Sequence, residues 1–315
     1  MKIVIVSPAV AQTRSGNEHT ALRWARHLRA VGHRVEVSER WTRSPADVLL
    51  ALHARKSHAS IRAFHDRLEG RPLVVALTGT DLYRDIRTSR PAQESLAIAT
   101  RLVVLQPEGC RELAPALRVK TTVIFQSADT ELRHAAPRGS FRLAVLGHLR
   151  EEKDPFRAVA ALARLPGADI EIVHLGKALT RAMRLEAEAW QRREPRYAWL
   201  GSRPHGHALR HLSRAHALVV SSKMEGGANV ICEAARIGVP VLASRIAGNV
   251  GMLGADYPGY YTYGSTAALA RLIERAAGDP GCYRALKDAI RARRALFAPA
   301  TERRALRDLI AGLAA

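Results

Sequence analysis

Short apolar runs alternate with longer amphipathic stretches along the whole of the 315-residue chain. Apolar runs of this length with little polar alternation read as strands buried on both faces, and the polar-faced stretches between them as helices covering a parallel sheet. In the first half the predicted strands are 2–6, 34–37, 48–52, 73–77, 102–105 and 122–125. The pattern lapses at Ala135-Ala136-Pro137-Arg138-Gly139-Ser140, which reads as a short linker. A second series opens at 141–147 and continues at 170–174, 197–200, 217–220 and 239–243, with helices expected at about 265–276, 280–296 and 301–313. The prediction is an α/β chain of two doubly wound, Rossmann-like domains, 1–138 and 139–298, with Pro299 as a hinge into a last helix, 299–315.

Charge changes the picture less than its size suggests. Lys and Arg number 49 against 29 Asp and Glu, a net charge of +20, and only seven of the cations are Lys. Such a surface attracts polyanions, so nucleic acid and anionic membranes are considered. The arginines are scattered among Glu, Asp and Ala in stretches such as 181–193 and 284–304, the composition of solvated helix faces. Aromatic residues are 5% of the chain, too few to interleave with a basic stripe and stack bases. Cys110, Cys232 and Cys282 form no C-x-x-C, and a reducing, cytoplasmic setting is expected. The apolar run before Pro8 is too short for a signal peptide, and no stretch approaches the ~18 apolar residues of a membrane span. Walker, G-x-G-x-x-G, H-E-x-x-H and G-x-S-x-G patterns are absent. His205, His207, His211 and His216 have partial metal-ligand spacing, but no metal or other cofactor is expected.

The richest segment is Ser221-Ser222-Lys223-Met224-Glu225-Gly226-Gly227-Ala228-Asn229-Val230-Ile231-Cys232-Glu233. It follows a predicted strand and runs through a Gly-Gly turn into a helix that Gly238 and Pro240 end. Glu225 falls in the loop and Glu233 on the helix. The turn lets the first carboxylate fold back over the helix start, so both can face one ligand. Amides of Gly227, Ala228 and Asn229 favour an anion there, and each carboxylate can accept from neighbouring hydroxyls. A polyol joined to a phosphate fits. As a bare pair, two glutamates eight residues apart read equally well as a solvated loop residue and a surface helix residue.

Ligands of doubly wound sheets bind beyond the carboxyl ends of the strands. There the first half offers Arg14-Ser15-Gly16-Asn17, with Asn17 expected to cap a helix starting near Glu18, then His53, Arg55, Lys56 and Ser57, then Thr78-Gly79-Thr80-Asp81, then Gln106 and Glu108. Arg14, Arg55, Lys56 and Arg84 give this set a cationic character. In the second half the first such loop is Gly147-His148-Leu149-Arg150-Glu151-Glu152-Lys153-Asp154-Pro155.

The string E-G-G-A-N-V-I-C-E-A-A-R-I-G-V-P-V-L-A-S, 225–244, resembles the nucleotide-sugar signature of the retaining GT-B glycosyltransferases of family 4. The resemblance implies the GT-B fold: two Rossmann-like domains facing across a cleft, with a C-terminal helix crossing back to the first. It places Glu225 on the donor sugar, Glu233 on the ribose, and the Gly226, Gly227, Ala228 and Asn229 backbone on the diphosphate. The 147–155 loop is similar to the family's G-R-L-x-x-x-K-G. Lys153 matches its Lys, whereas His148 replaces its Arg, so the charge on the diphosphate falls to Lys153 with help from Arg150 and Ser222. Gly201-Ser202-Arg203 stands where the family cradles the base, which gives Ser202 and Arg203 that part.

Further strings narrow the likeness. M-K-I-x-I-V-S-P-A, S-G-N-x-x-T-A-x-R-W, L-H-A-R-K-S, A-L-T-G-T-D-L-Y and L-G-H-L-R-x-E-K-D-P together resemble the selenosugar synthases of selenoneine biosynthesis. This subgroup implies transfer of a sugar from UDP-N-acetylglucosamine or UDP-glucose to selenophosphate, releasing UDP and phosphate, alongside the other enzymes of that pathway. Under it Arg14, Ser15, Gly16, Asn17, Lys56, Thr78, Gly79, Thr80 and Asp81 form the acceptor site, and Lys153, Glu225 and Asp81 are the expected catalytic groups. The soft, anionic selenium needs positioning and charge neutralisation more than a strong base. The rival expectations are a family 4 enzyme with a hydroxyl acceptor and a basic nucleic-acid-binding protein on the same fold.

Overall fold

The computed structural model describes residues 1–8 and 16–313, so Arg14 and Ser15 of the expected acceptor loop lie outside the described residues. One compact unit comprises Met1–Ser127, Glu225–Gly227 and Pro299–Ala315. Its sheet contains β1 (Lys2–Val6), β2 (Arg34–Ser38), β3 (Val48–Leu52), β4 (Leu73–Leu77), β5 (Arg101–Val104) and β6 (Thr121–Val123), in the order β2-β1-β3-β4-β5-β6. Every neighbouring pair is parallel.

The apolar runs are continuous because both faces of this sheet are covered. Ile3, Ile5, Val48, Leu50 and Leu52 pack with Trp24 and Leu28 on one face, while Val4, Val6, Leu49 and Ala51 pack with Trp41 and Phe64 on the other. The last helix, Pro299–Ala311, adds Leu306, Leu309 and Ile310 to the Trp24 face. Glu302, buried on that helix, accepts from the Trp24 indole at 2.6 Å, Arg23 Nε at 2.8 Å and the Ser127 backbone at 2.9 Å. Burial alone would raise this carboxyl, but Arg23 and the bonds from His27, Ser127 and Trp24 hold it below the usual carboxylate range.

The other unit comprises Ala128–Met224 and Ala228–Ala298. It contains β7 (Phe141–Leu146), β8 (Ile170–Leu175), β9 (Tyr197–Trp199), β10 (Ala217–Val220), β11 (Val241–Ser244) and β12 (Tyr260–Tyr261), ordered β12-β11-β10-β7-β8-β9 and parallel throughout. β12 has no counterpart among the predicted strands. Two residues carry no periodicity to read, and the strand is fixed instead by pairing with Ala243 and Ser244 and by the Tyr260 hydroxyl, which donates to the Gly254 carbonyl at 2.9 Å.

Local signals set the helix ends. Gly238 takes φ 97° to close the helix Asn229–Ile237, and its N–H and that of Val239 both return to the Ala234 carbonyl, at 2.7 and 2.8 Å. Asp279 caps the helix Pro280–Arg293 by accepting from the Gly281 and Cys282 amides, with Pro280 in the first turn. Among the described residues no helix is long and apolar enough to cross a membrane.

Candidate functional site

In each sheet the strand order reverses once, and the loops at that switch point are where doubly wound folds bind ligands. In the second unit the reversal lies between β7 and β10. The loop after β7 leaves through Gly147 and forms a 3-10 turn, Glu151–Lys153. The loop after β10 begins at Ser221 and Ser222, both buried. Ser221 Oγ donates toward the carbonyls of Lys153 and Asp154, at 3.0 and 2.8 Å, and the Lys223 amide donates to the Glu152 carbonyl at 2.9 Å. Two loops from distant parts of the sequence are thus joined by neutral hydrogen bonds. Asp154 closes the turn in the left-handed region, φ 45°, and its carboxylate takes a bond from Arg157 Nε at 2.7 Å.

The floor of this loop pair is dry and tight. A Cβ on Gly176 would lie 1.8 Å from the Gly147 carbonyl oxygen, so only glycine lets β8 leave the sheet beneath the turn. His174, fully buried on β8, holds the Tyr197 hydroxyl at 2.9 Å and is pushed down to about 4, mainly by burial. It therefore stays neutral under Gly147. His148 Nδ1 accepts from the Lys177 amide at 3.2 Å, so this face of the ring is a hydrogen-bond acceptor where the family pattern carries a guanidinium.

Past Ser222, the helix Asn229–Ile237 starts with Ala228 at its cap. Its first turn carries the positive end of the helix dipole. Glu233, one turn further, accepts from His205 Nε2 at 2.8 Å, and that bond raises the His205 pKa above its ordinary value against the opposing effect of burial. His205 is a partner that sequence reasoning missed, since its spacing from His207, His211 and His216 reads only as a weak metal pattern. His216, from the same set, instead stacks on Phe141 at 4.8 Å and accepts from the Arg142 amide. Among the described residues no group of three or more His, Cys, Asp and Glu is arranged to hold a metal ion. Ser202 and Arg203 are exposed just before the helix His205–Ser213, and Arg150 is exposed on the β7 loop.

In the first unit the reversal lies between β1 and β3. Asp81, wholly buried at the head of a π-helical turn, accepts from the amides of Thr78 at 3.0 Å, Gly79 at 2.9 Å and Ala54 at 3.0 Å. Both oxygens are engaged with backbone, so Asp81 ties the β3 and β4 loops together. Asp85 takes Arg55 Nε at 2.7 Å and Arg84 Nε at 3.1 Å. Burial acts to raise Asp85, but the two guanidinium bonds outweigh it and hold the carboxyl low. Two of the four expected cations are therefore neutralised, and Lys56 is left exposed with no ion pair among the described residues. Asn17 is inside the first turn of the helix Gly16–Ala30 instead of ahead of it, so it is not the cap that was expected.

Glu225, Gly226 and Gly227 are counted with this unit, whereas Ala228, Asn229 and Glu233 belong to the other. Glu225 is buried. A Cβ on Gly226 would stand 2.2 Å from the Thr78 carbonyl oxygen and 2.6 Å from the Gly79 nitrogen, so this position admits glycine alone. The Gly-Gly pair, read from sequence as a turn-former, is here a close-packing element as well.

Two six-stranded parallel sheets, each wound on both faces and completed by a last helix packed with the first, define the GT-B glycosyltransferase fold. Residues 129–293 match the family described as Glycosyl transferases group 1, and the chain belongs to that family. Solved structures agree in fold. The Anabaena protein HepE, in complex with UDP and glucose, superposes with a TM-score of 0.80 at 17% identity, covering 99% of this chain and 100% of that one. Sucrose-phosphate synthase from Thermosynechococcus elongatus gives 0.83 at 17% identity over 99% and 98%. A glycosyltransferase from Rickettsia africae gives 0.73 at 12% identity over 99% and 98%.

Proposed function

We propose that the chain transfers a sugar from a UDP-sugar, UDP-N-acetylglucosamine or UDP-glucose, to selenophosphate. Membership of the glycosyltransferase family supports the reaction class, and the HepE structures solved with UDP-glucose and with UDP and glucose support the donor. The observation that carries the reading is the Ser221 link, which holds the Lys153 turn beside the loop that leads into the helix Asn229–Ile237. Lys153, Ser222 and the amides from Gly226 to Asn229 then stabilise the departing diphosphate, with Gly147, His148 and Arg150 around them. Glu233 accepts the ribose hydroxyls, Ser202 and Arg203 flank the base, and Glu225 contacts the donor sugar.

The acceptor half rests on the Lys56 ammonium and Thr80, together with Gly16 and Asn17. The selenium lone pair forms the bond to the anomeric carbon as the bond from that carbon to the UDP oxygen breaks. Water taken up at phosphorus then releases phosphate and leaves the 1-seleno-sugar. No strong base is needed, because the nucleophile arrives with its charge.

The test is mass spectrometry of UDP-N-acetylglucosamine and UDP-glucose, each incubated with the protein and selenophosphate or thiophosphate. A sugar bearing selenium or sulfur is the expected product. Transfer to hydroxyl acceptors alone would discard the acceptor assignment while leaving the donor half standing.

A further inference from the structure

His53 is buried at the carboxyl end of β3 with φ 73°, a left-handed conformation that a residue with a side chain adopts at a cost. Its backbone is pinned: its amide donates to the Ala76 carbonyl at 2.8 Å, and its carbonyl accepts from the Ser57 amide at 3.0 Å. The ring points its two nitrogens at different groups. Nδ1 lies 3.4 Å from the Lys56 amide and Nε2 lies 3.2 Å from Thr80 Oγ1. A backbone N–H can only donate, so Nδ1 accepts. With Nδ1 taken by the Lys56 amide, the ring proton sits on Nε2, 3.2 Å from Thr80 Oγ1 and 3.9 Å from the Asp85 carboxylate, while burial, with Lys56 and Arg55, opposes a second proton against Asp81 and Asp85. That proton goes to Thr80 Oγ1. The hydroxyl, having accepted, has its own proton to give, and among the described residues no protein acceptor takes it.

We propose that His53 is a positioning residue that commits the Thr80 hydroxyl to donate to an oxygen of a bound phosphate-class anion. The strained backbone, the buried ring and the tautomer form one device whose output is a fixed hydroxyl donor. The proposal deepens the acceptor assignment above and rests on it for the identity of the anion as selenophosphate.

Four variants test it. H53N tolerates the left-handed backbone but is too short to reach Thr80. H53Q keeps an amide donor at the distance of Nε2. T80V removes the hydroxyl, and T80S keeps it. Calorimetry with inorganic phosphate and thiophosphate, and steady-state KM for the acceptor, are measured beside UDP affinity. H53N and T80V should each weaken anion binding and raise the acceptor KM about tenfold, the effect of losing one hydrogen bond to a charged group. The double variant should lose no more than either single one, with UDP affinity unchanged, H53Q partly restored and T80S near wild type. Anion affinity within twofold of wild type in H53N, with T80V impaired, overturns the His53 proposal and leaves the acceptor site standing. Absence of phosphate and thiophosphate binding in the wild type overturns both. Anion binding that both variants weaken, without any seleno- or thio-sugar formed, upholds the His53 device and rejects the acceptor reading.

Discussion

The two switch-point loops are held by opposite means. In the first unit a buried carboxylate, Asp81, organises the turn and takes three backbone amides for itself. In the second a neutral hydroxyl, Ser221, joins the loops by bonding to carbonyls. A carboxylate tie places negative charge behind the turn and takes backbone amides for itself, so under the proposed function that side relies on the Lys56 ammonium and the Thr80 hydroxyl. The hydroxyl tie, helped by the Lys223 amide on the Glu152 carbonyl, adds no charge. Under the proposed function, Lys153 and the start of the helix Asn229–Ile237 on that side meet a larger, more highly charged ligand. The contrast suits a small acceptor anion on one unit and a nucleoside diphosphate on the other.

Removing the tie should hurt the first unit most. Asp81→Ala leaves three amides without their acceptor, and a loss of about 3 kcal/mol or more is expected. Urea unfolding checks this, and a loss below about 1 kcal/mol would mean that backbone geometry alone holds the turn. Lys153→Ala should lower kcat/KM about a hundredfold, equivalent to ~2.7 kcal/mol of transition-state stabilisation, while the urea midpoint stays put. Equal damage to stability would recast Lys153 as a scaffold residue. Glu233→Ala should weaken UDP about tenfold by calorimetry, and the ribose assignment fails if 2′,3′-dideoxy-UDP suffers the same loss.

The smallest effect concerns His205. Its pKa is raised by Glu233, so the pair's contribution to stability is fully present below the ordinary histidine value and fades as pH rises through the folded one. With the His205 side chain 58% exposed, the contribution is small and screened by solvent. NMR titration should place His205 above the ordinary histidine value and return it there in Glu233→Gln. An unshifted wild-type curve would remove the pair from any account of the donor loop.

Most of the architecture was legible because buried parallel strands announce themselves as unbroken apolar runs. Strands β1, β3 and β4 fall where those runs stand, while the dipeptide β12 lies below the length at which any pattern exists. The site was legible in its residue types and less so in their duties. Thr78-Gly79-Thr80-Asp81 was marked as a functional loop, yet which atoms Asp81 would satisfy depends on Ala54, on a different strand's loop. Asp85 drew no notice, although its bonds to Arg55 and Arg84 decide which cations remain. The duty of His53 is not legible in sequence, because a left-handed backbone at a histidine leaves no mark there. Pairings such as His205 with Glu233 join elements whose separation along the chain carries no periodic signal.

Glu302 has a bearing on how the protein is made. Its partners Arg23 and Trp24 precede it by 279 and 278 residues, and Ser127 by 175. During synthesis the strands of the first unit emerge early, but the indole N–H of Trp24 and the apolar face around it have nothing to close against until the final helix leaves the ribosome. Domains tend to consolidate as they are synthesised, so the second unit should finish first, reversing the order in which the two begin. A released chain ending at residue 298 should therefore resist protease across 139–298 while its first 127 residues are digested, and protection of those residues at that length would show that the early unit closes unaided.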